Sequence, residues 1–250
     1  MIVFHIASRE IRSMLTTVVG WMVICGFLLL AGVFWISIVS NYVMLSQDLV
    51  FNPYAASQLT FSDYLVAPWF ENCLLVAMFL APAITMRSFS GEYTNRTFEL
   101  LLTSPISTGQ VVLGKYIGAM GFSAVMLAFT MYVPLWLSFY GEPDPGLFIG
   151  GYLSLILTLS VLSAGGLLVS SYTRSQVVAF VLTFAAGLGV YVVSWLAQDP
   201  DSILAHFSLA SHVQDVHRGV IRLSDVVWFA GVTVTLLFAT QQRLDGFRWR

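Results

Sequence analysis

Charge is scarce in this sequence. Only 10% of its 250 residues are Asp, Glu, Lys or Arg, against 58% hydrophobic residues, whereas a soluble domain carries about 25% charged residues. So few charges cannot clothe a water-facing surface of this size, and lipid is the expected solvent. A mean hydropathy of +0.82 agrees. The formal net charge of −2 offers no basic surface, so no nucleic-acid partner is expected. Cysteine is nearly absent. Cys25 and Cys73 both lie in apolar runs, which argues against a disulfide framework or a thiolate metal site and leaves two inert thiols. The first residues mix apolar with charged side chains (Arg9, Glu10, Arg12), and no small-residue cleavage site follows a short apolar core. A secretory signal is therefore not expected.

What the chain does have is apolar runs long enough to cross a bilayer, which takes about 20 residues. Six spanning helices are expected, near Thr16–Asn41, Tyr64–Met86, Thr108–Tyr140, Leu147–Ser171, Gln176–Gln198 and Ser224–Gln241. The fold class is thus an all-α integral membrane protein, with residues 1–250 read as one transmembrane domain. Placing the N-terminus inside puts Arg9, Arg12, Arg87, Arg96, Lys115, Arg174, Arg243, Arg248 and Arg250 on the cytoplasmic side and only Arg218 and Arg222 outside. That bias predicts cytoplasmic termini. Tyr42–Asp63, a Pro-Asp-Pro turn at Gly141–Gly146, and Asp199–Leu223 then face outward. Ile2–Ser13 reads as a short amphipathic helix in the inner interface, with Val3, Phe4, Ile11 and Met14 toward lipid.

Small residues at Ala164-Gly165-Gly166 and Ala185-Ala186-Gly187 and at Gly189 permit close helix approach. Pro82 and Pro134 are expected to kink their helices. Trp21, Trp35, Trp69, Trp136, Trp195 and Trp228 fall near span ends and read as interfacial anchors. Glu71, with Asn72 beside it, lies about 24 Å along a helix from Arg87. A carboxylate at that depth is a functional candidate by default, so the pair is a candidate outer vestibule, against the plainer reading of a helix start after Pro68.

The inner loop Arg87–Ser107 is much longer than a helix connection needs. Ser90 precedes Glu92 as a helix-start signal, Glu92 and Arg96 stand at i and i+4, and Pro105 ends the pattern. Phe89, Tyr93 and Leu100 supply apolar contacts that a solvated helix has no need of. An amphipathic helix here suits docking in a partner's groove.

The residues Arg87, Glu92, Thr97-Phe98-Glu99-Leu100-Leu101, Pro105-Ile106-Ser107 and Gly114-Lys115 resemble the permease subunits of ABC-2 type transporters, closest to those of the gliding-motility and nitrous-oxide-reductase-maturation type. One departure is Arg96, where such permeases often carry Gly. The resemblance implies a multi-pass protein of the cytoplasmic membrane whose loop after span two is a coupling helix seated in a separate ABC ATP-binding subunit, in two copies. Arg87, Glu92, Tyr93, Arg96, Thr97, Glu99, Leu100 and Pro105 are then the candidate docking residues. ATP and Mg would be bound by that partner, with no cofactor on this chain, and a second permease copy or a homologous permease would complete the pathway. The expected function is coupling of ATP hydrolysis to export of an unidentified substrate.

Gly109 and Gly114-Lys115 have the G-x-x-x-x-G-K spacing of a phosphate loop, but Tyr116 replaces the Ser or Thr that holds Mg²⁺ and no strand precedes. Lys115 reads instead as a cationic anchor with its ammonium in water. His206, His212 and His217 are read as exposed polar residues, a metal site being the alternative. Two rival functions stay open: a non-transporting subunit that passes ATPase motion to an extracytoplasmic partner, and an intramembrane enzyme, whose motifs the sequence lacks.

Overall fold

The computed structural model describes residues 2–51, 62–97, 106–139, 144–196, 209, 212, 213, 216 and 222–248. Among these the chain is all-helical, and six helical stretches are long and apolar enough to cross a membrane: Val18–Gln47, Tyr64–Thr94, Thr108–Leu137, Pro145–Tyr172, Gln176–Val193 and Leu223–Phe247.

Helix α1 (Ile2–Thr16) precedes the first crossing. It stops where Thr16 and Thr17 turn their hydroxyls onto the carbonyls of Arg12 and Ser13. The freed carbonyl of Leu15 accepts the Trp21 indole N–H at 2.7 Å, so this tryptophan fastens an elbow. Gly20 is required there, because a Cβ would strike the Met14 carbonyl.

Helix α2 (Val18–Phe51) runs ten residues past the expected end at Asn41. The stretch from Tyr42 contains no Gly or Pro before Pro53, and its Met, Leu and Gln favour helix. A π-helical turn, Ser62–Val66, leads into α3 (Ala67–Thr85). Helix α3 is central and mostly buried, and it runs through Pro82. The short α4 (Ser90–Thr94) follows. Then come α5 (Thr108–Ala128), a 3₁₀ turn at Phe129–Met131, and α6 (Tyr132–Leu137). Pro134 explains the break, since its ring leaves the Thr130 carbonyl without an i+4 donor. Helix α7 is Pro145–Tyr172, α8 is Gln176–Leu196 and α9 is Leu223–Arg248.

The main core lies between α2, α3, α5 and α7. Trp69 is fully buried and meets Trp35 edge-on at 6.2 Å, while Trp136 meets Trp35 at 6.0 Å. Trp69 also donates its indole N–H to the Ala31 carbonyl at 3.2 Å. It is a core residue and not the expected interfacial anchor, because its partners come from a helix 38 positions away. Helix α7 closes on α3 at two small residues. Gly151 lies under the Phe70 ring and Gly166 against the Thr85 hydroxyl, and a Cβ at either would collide. Gly187 has Leu162 just beyond it, whereas Gly189 faces open space.

The amphipathic reading of α1 gave the right start, but the helix runs three residues past Ser13 to Thr16 and turns a different face inward. Its inward side is Val3, Ile6, Ala7, Glu10 and Ile11. This side packs along a glycine row on α5, with Gly114 under Ile6, Gly118 under Glu10 and Gly121 under Ile11. Phe4 alone of the expected lipid-facing set is strongly exposed, at 73%. Two helices meeting at glycine allow backbone-to-backbone approach, so α1 is held against a spanning helix.

Candidate functional site

The residues that follow α3 fold into a tight turn and then α4, and the ends of four other helices meet there. Met86 donates its N–H back to the Pro82 carbonyl. The next amides find a partner on α7: the Ser170 hydroxyl accepts from Phe89 N and Ser90 N at 3.0 Å each and donates to the Met86 carbonyl at 3.2 Å. Thus one serine satisfies the unpaired donors at the start of α4. The Ser90 hydroxyl turns back onto the Met86 carbonyl. Thr94 donates to the Arg174 carbonyl at 3.1 Å, and the Tyr93 hydroxyl to that of Ser171 at 3.4 Å.

Helix α4 ends in a Schellman pair. Thr97 N–H reaches the Glu92 carbonyl at 3.0 Å and Arg96 N–H that of Tyr93 at 3.3 Å. Arg96 adopts φ 57°. This left-handed position suits glycine, since any Cβ there costs roughly 1–2 kcal/mol. Arg96 holds this conformation at that cost, which a glycine would not carry.

Beneath the turn, Phe89 is fully buried with Val111, Val112, Leu167 and Leu244, joining α5, α7 and α9. Helix α5 starts with a reciprocal cap between Ser107 and Gln110. The next residue, Thr108, donates to Asp245 of α9 at 2.5 Å. Further along α9, the Arg243 guanidinium lies over the rings of Tyr172 and Phe247, 4.6 Å from each.

At the centre of this junction sits Lys115. It is 3% exposed, so the expected ammonium in water is not what the structure shows. Its Nζ is 2.8 Å from Glu10 Oε1 on α1, 2.8 Å from Glu92 Oε1 on α4, and 2.8 Å from the Ser88 carbonyl. The Phe89 ring centre is 5.3 Å away. The ammonium donates to Glu10 and to the Ser88 carbonyl, and Glu92 Oε1 stands beside it as an ion-pair partner. A buried lysine persists as a charge only when paired and hydrogen-bonded in this way. The local count is one cation and two carboxylates, and Glu92 Oε2 is buried without a hydrogen-bond partner. Lys115 and Gly114 also lie inside a continuous helix, with the glycine under Ile6. This is helix-packing geometry and not a phosphate cradle.

The expected docking residues therefore divide. Glu92 and Tyr93 turn inward, onto Lys115 and onto α7, so Glu92 and Arg96 do not form the exposed i, i+4 pair. Thr94, Asn95, Arg96 and Thr97 are exposed, as is Arg87. Glu99, Leu100 and Pro105 lie outside the described residues. Glu71 is exposed on α3, and the neighbouring Asn72 donates to the Pro68 carbonyl of its own helix at 2.9 Å. At the far end of the bundle His212 Nδ1 is 2.7 Å from Asp225 Oδ1 and stacks on Trp228 with ring centres 4.6 Å apart. His206 and His217 lie outside the described residues. Reasoning from sequence missed Glu10 as Lys115's partner and the glycine row beneath α1. The signal was present in the four-residue steps Ile6–Glu10 and Gly114–Gly118.

Residues 4–200 match the family described as ABC-2 family transporter protein. No curated protein matches the chain.

Proposed function

The chain belongs to the ABC-2 family of transporter proteins as a membrane permease subunit, and from that premise we propose that the segment between α3 and α5 is the coupling element that receives a separate ATP-binding subunit. Members of the family generally work with such subunits. The observation that carries the reading is the anchoring of α4. A five-residue helix has almost no stability of its own, yet this one is pinned to α5 and α7 while Thr94–Thr97 stays exposed. A surface element held that firmly can pass a push to the spans. We read Arg96, Thr97 and Arg87 as the contact residues among those described, with Glu99, Leu100 and Pro105 completing the surface. Glu92 and Tyr93 serve on its inner side, as supports.

In this reading the junction end of the bundle faces the cytoplasm in the inner membrane, with both termini on that side. The charge asymmetry of the sequence supports it, since the ends carrying Arg87, Arg96, Lys115, Arg174 and Arg243 all meet there. Two ATP-binding subunits supply ATP and Mg, and a second permease completes the pathway, covering part of the apolar surface that α2, α8 and α9 leave exposed. Nucleotide closure then biases a two-state packing of the spans and drives export.

The test is co-purification of the ATP-binding subunit with the Arg96→Glu/Thr97→Glu variant. Both positions are exposed, so the bundle should stay folded while the subunit is lost. Undiminished retention would refute the docking surface. Activity of a C-terminal phosphatase fusion outside the inner membrane would refute the orientation.

A further inference from the structure

We propose that Lys115 is a positioning residue for coupling: the Lys115–Glu10–Glu92 triad ties the segment after α3 to α1 and α5, so that a displacement of that segment is delivered to the N-terminal helix and the third crossing together. The proposal rests on the docking reading above and names the link inside it.

Three observations converge. The first is that the ammonium is shared between elements: it donates to Glu10 of α1 and to the Ser88 carbonyl of the docking segment, and pairs with Glu92 of that segment at 2.8 Å. Neither carboxylate can be released without leaving a buried charge short of a partner, so the segment and α1 are held to one point on α5. The second is the glycine row. Because Gly114 and Gly118 bring α1 within backbone contact of α5 on either side of Lys115, α1 cannot slide independently of the helix that bears the lysine. The third is slack on the opposite side. A cavity of about 130 Å³ lies between α1 with the start of α2 and the end of α3 with the turn that follows it, lined by Glu10, Ser13, Thr17, Ile84 and Arg87 among others. Interiors are otherwise close-packed, so a void of this size gives the end of α3 room to move against α1. So α1, the first half of α5 and the docking segment form one body, and α3 is the neighbour past which it shifts.

The path matters because other routes exist. Without the triad, a push on α4 travels back into α3 through the turn at Met86–Phe89 and into the end of α7 through Ser170 and Ser171. The triad adds a route into α1, and through the elbow at Thr17 into α2. Lys115 does not touch nucleotide or cargo. It fixes which helices respond.

The experiment uses the full chain co-purified with its ATP-binding subunit in nanodiscs. Spin labels at Ser8→Cys on α1 and Leu75→Cys on the exposed side of α3, with Cys25→Ser to remove the exposed native thiol, report the α1–α3 distance without nucleotide and with MgATP plus vanadate. The wild type and Lys115→Arg should show a nucleotide-dependent shift. The variant Glu10→Gln/Glu92→Gln/Lys115→Met removes all three charges together, so it leaves no unpaired ion to unfold the junction. It should keep its ATP-binding subunit and its melting profile and lose the shift. A shift that survives in this variant overturns the link and leaves the docking reading standing. Loss of the shift in both Lys115→Arg and the neutral variant assigns the residue to packing alone and overturns it too. If the unmutated complex shows no shift, or holds no ATP-binding subunit, the docking reading fails and the link falls with it.

Discussion

Filling the glycine row on α5 provides the most direct test of how α1 is held. An ideal Cβ at Gly118 falls 2.7 Å from Glu10 Cβ and 3.4 Å from the Ala7 carbonyl, and one at Gly114 falls 2.7 Å from Ile6 Cβ and 3.3 Å from the Val3 carbonyl. Optimal carbon–carbon contact is about 3.5–4.0 Å, so the helices must part by roughly 1 Å. At Gly114 the Ile6 Cγ2 is equally near, but a rotamer change moves neither the Cβ atoms nor the carbonyls. Overpacking of this kind costs about 1–3 kcal/mol. A 1 Å displacement also stretches the 2.8 Å contact between Lys115 and Glu10 beyond hydrogen-bond range. The control is Ala at Gly26, Gly231 or Gly246, where nothing lies within 4 Å and the substitution should gain about 0.5–1 kcal/mol of helix stability. Thermal unfolding of the detergent-solubilised protein, followed by monodisperse peak height, reads the difference. At about 2–4 °C per kcal/mol for a chain this long, Gly118→Ala should melt several degrees below Gly26→Ala. Equal melting points would show that α1 does not pack on α5 as described.

Further substitutions separate other parts of the structure. Arg96→Gly should raise stability by about 0.5–1 kcal/mol by relieving the left-handed backbone at φ 57°, and a lower melting point would argue against the Schellman end of α4. Lys115→Met alone strands two carboxylates that are only 17% and 15% exposed. It should cost about 3–5 kcal/mol, most of it recovered when Glu10 and Glu92 become Gln; an additive further loss would refute the triad. Trp69→Ala, at a fully buried position, should cost about 3–5 kcal/mol. The same change at Trp136, 42% exposed, should cost much less, and equal losses would contradict the placement of Trp69 in the core.

The spans were legible because the free energy that makes them is local. A run of about 20 apolar residues is driven into lipid by its own side chains, whatever its neighbours, and the six stretches follow from that alone. The start of α1 and the break at Pro134 are local as well, the latter set by a missing N–H. In the segment after α3, Arg96 and Thr97 are exposed. Glu92 misled because an i, i+4 pair with Arg96 is the favoured arrangement of an isolated helix. A buried cation 23 positions along the chain outcompetes an exposed partner, and no periodicity reports that. Trp69 misled for the same reason: amphipathic rings near span ends favour headgroups unless another helix covers them.

By itself the sequence determined the solvent, the number of crossings, the helical class and the family, because hydropathy, charge scarcity and the loop motif are properties of contiguous residues. Only the tertiary structure decided that α1 lies on the glycine row of α5, that Lys115 is a buried junction and not a surface anchor, and that Glu92 turns inward onto it. Those outcomes depend on Glu10, Glu92 and Lys115 meeting across 105 positions of chain. Whether a lysine snorkels or is buried turns on whether its ammonium finds oxygen partners, and folding alone brings three of them within 2.8 Å.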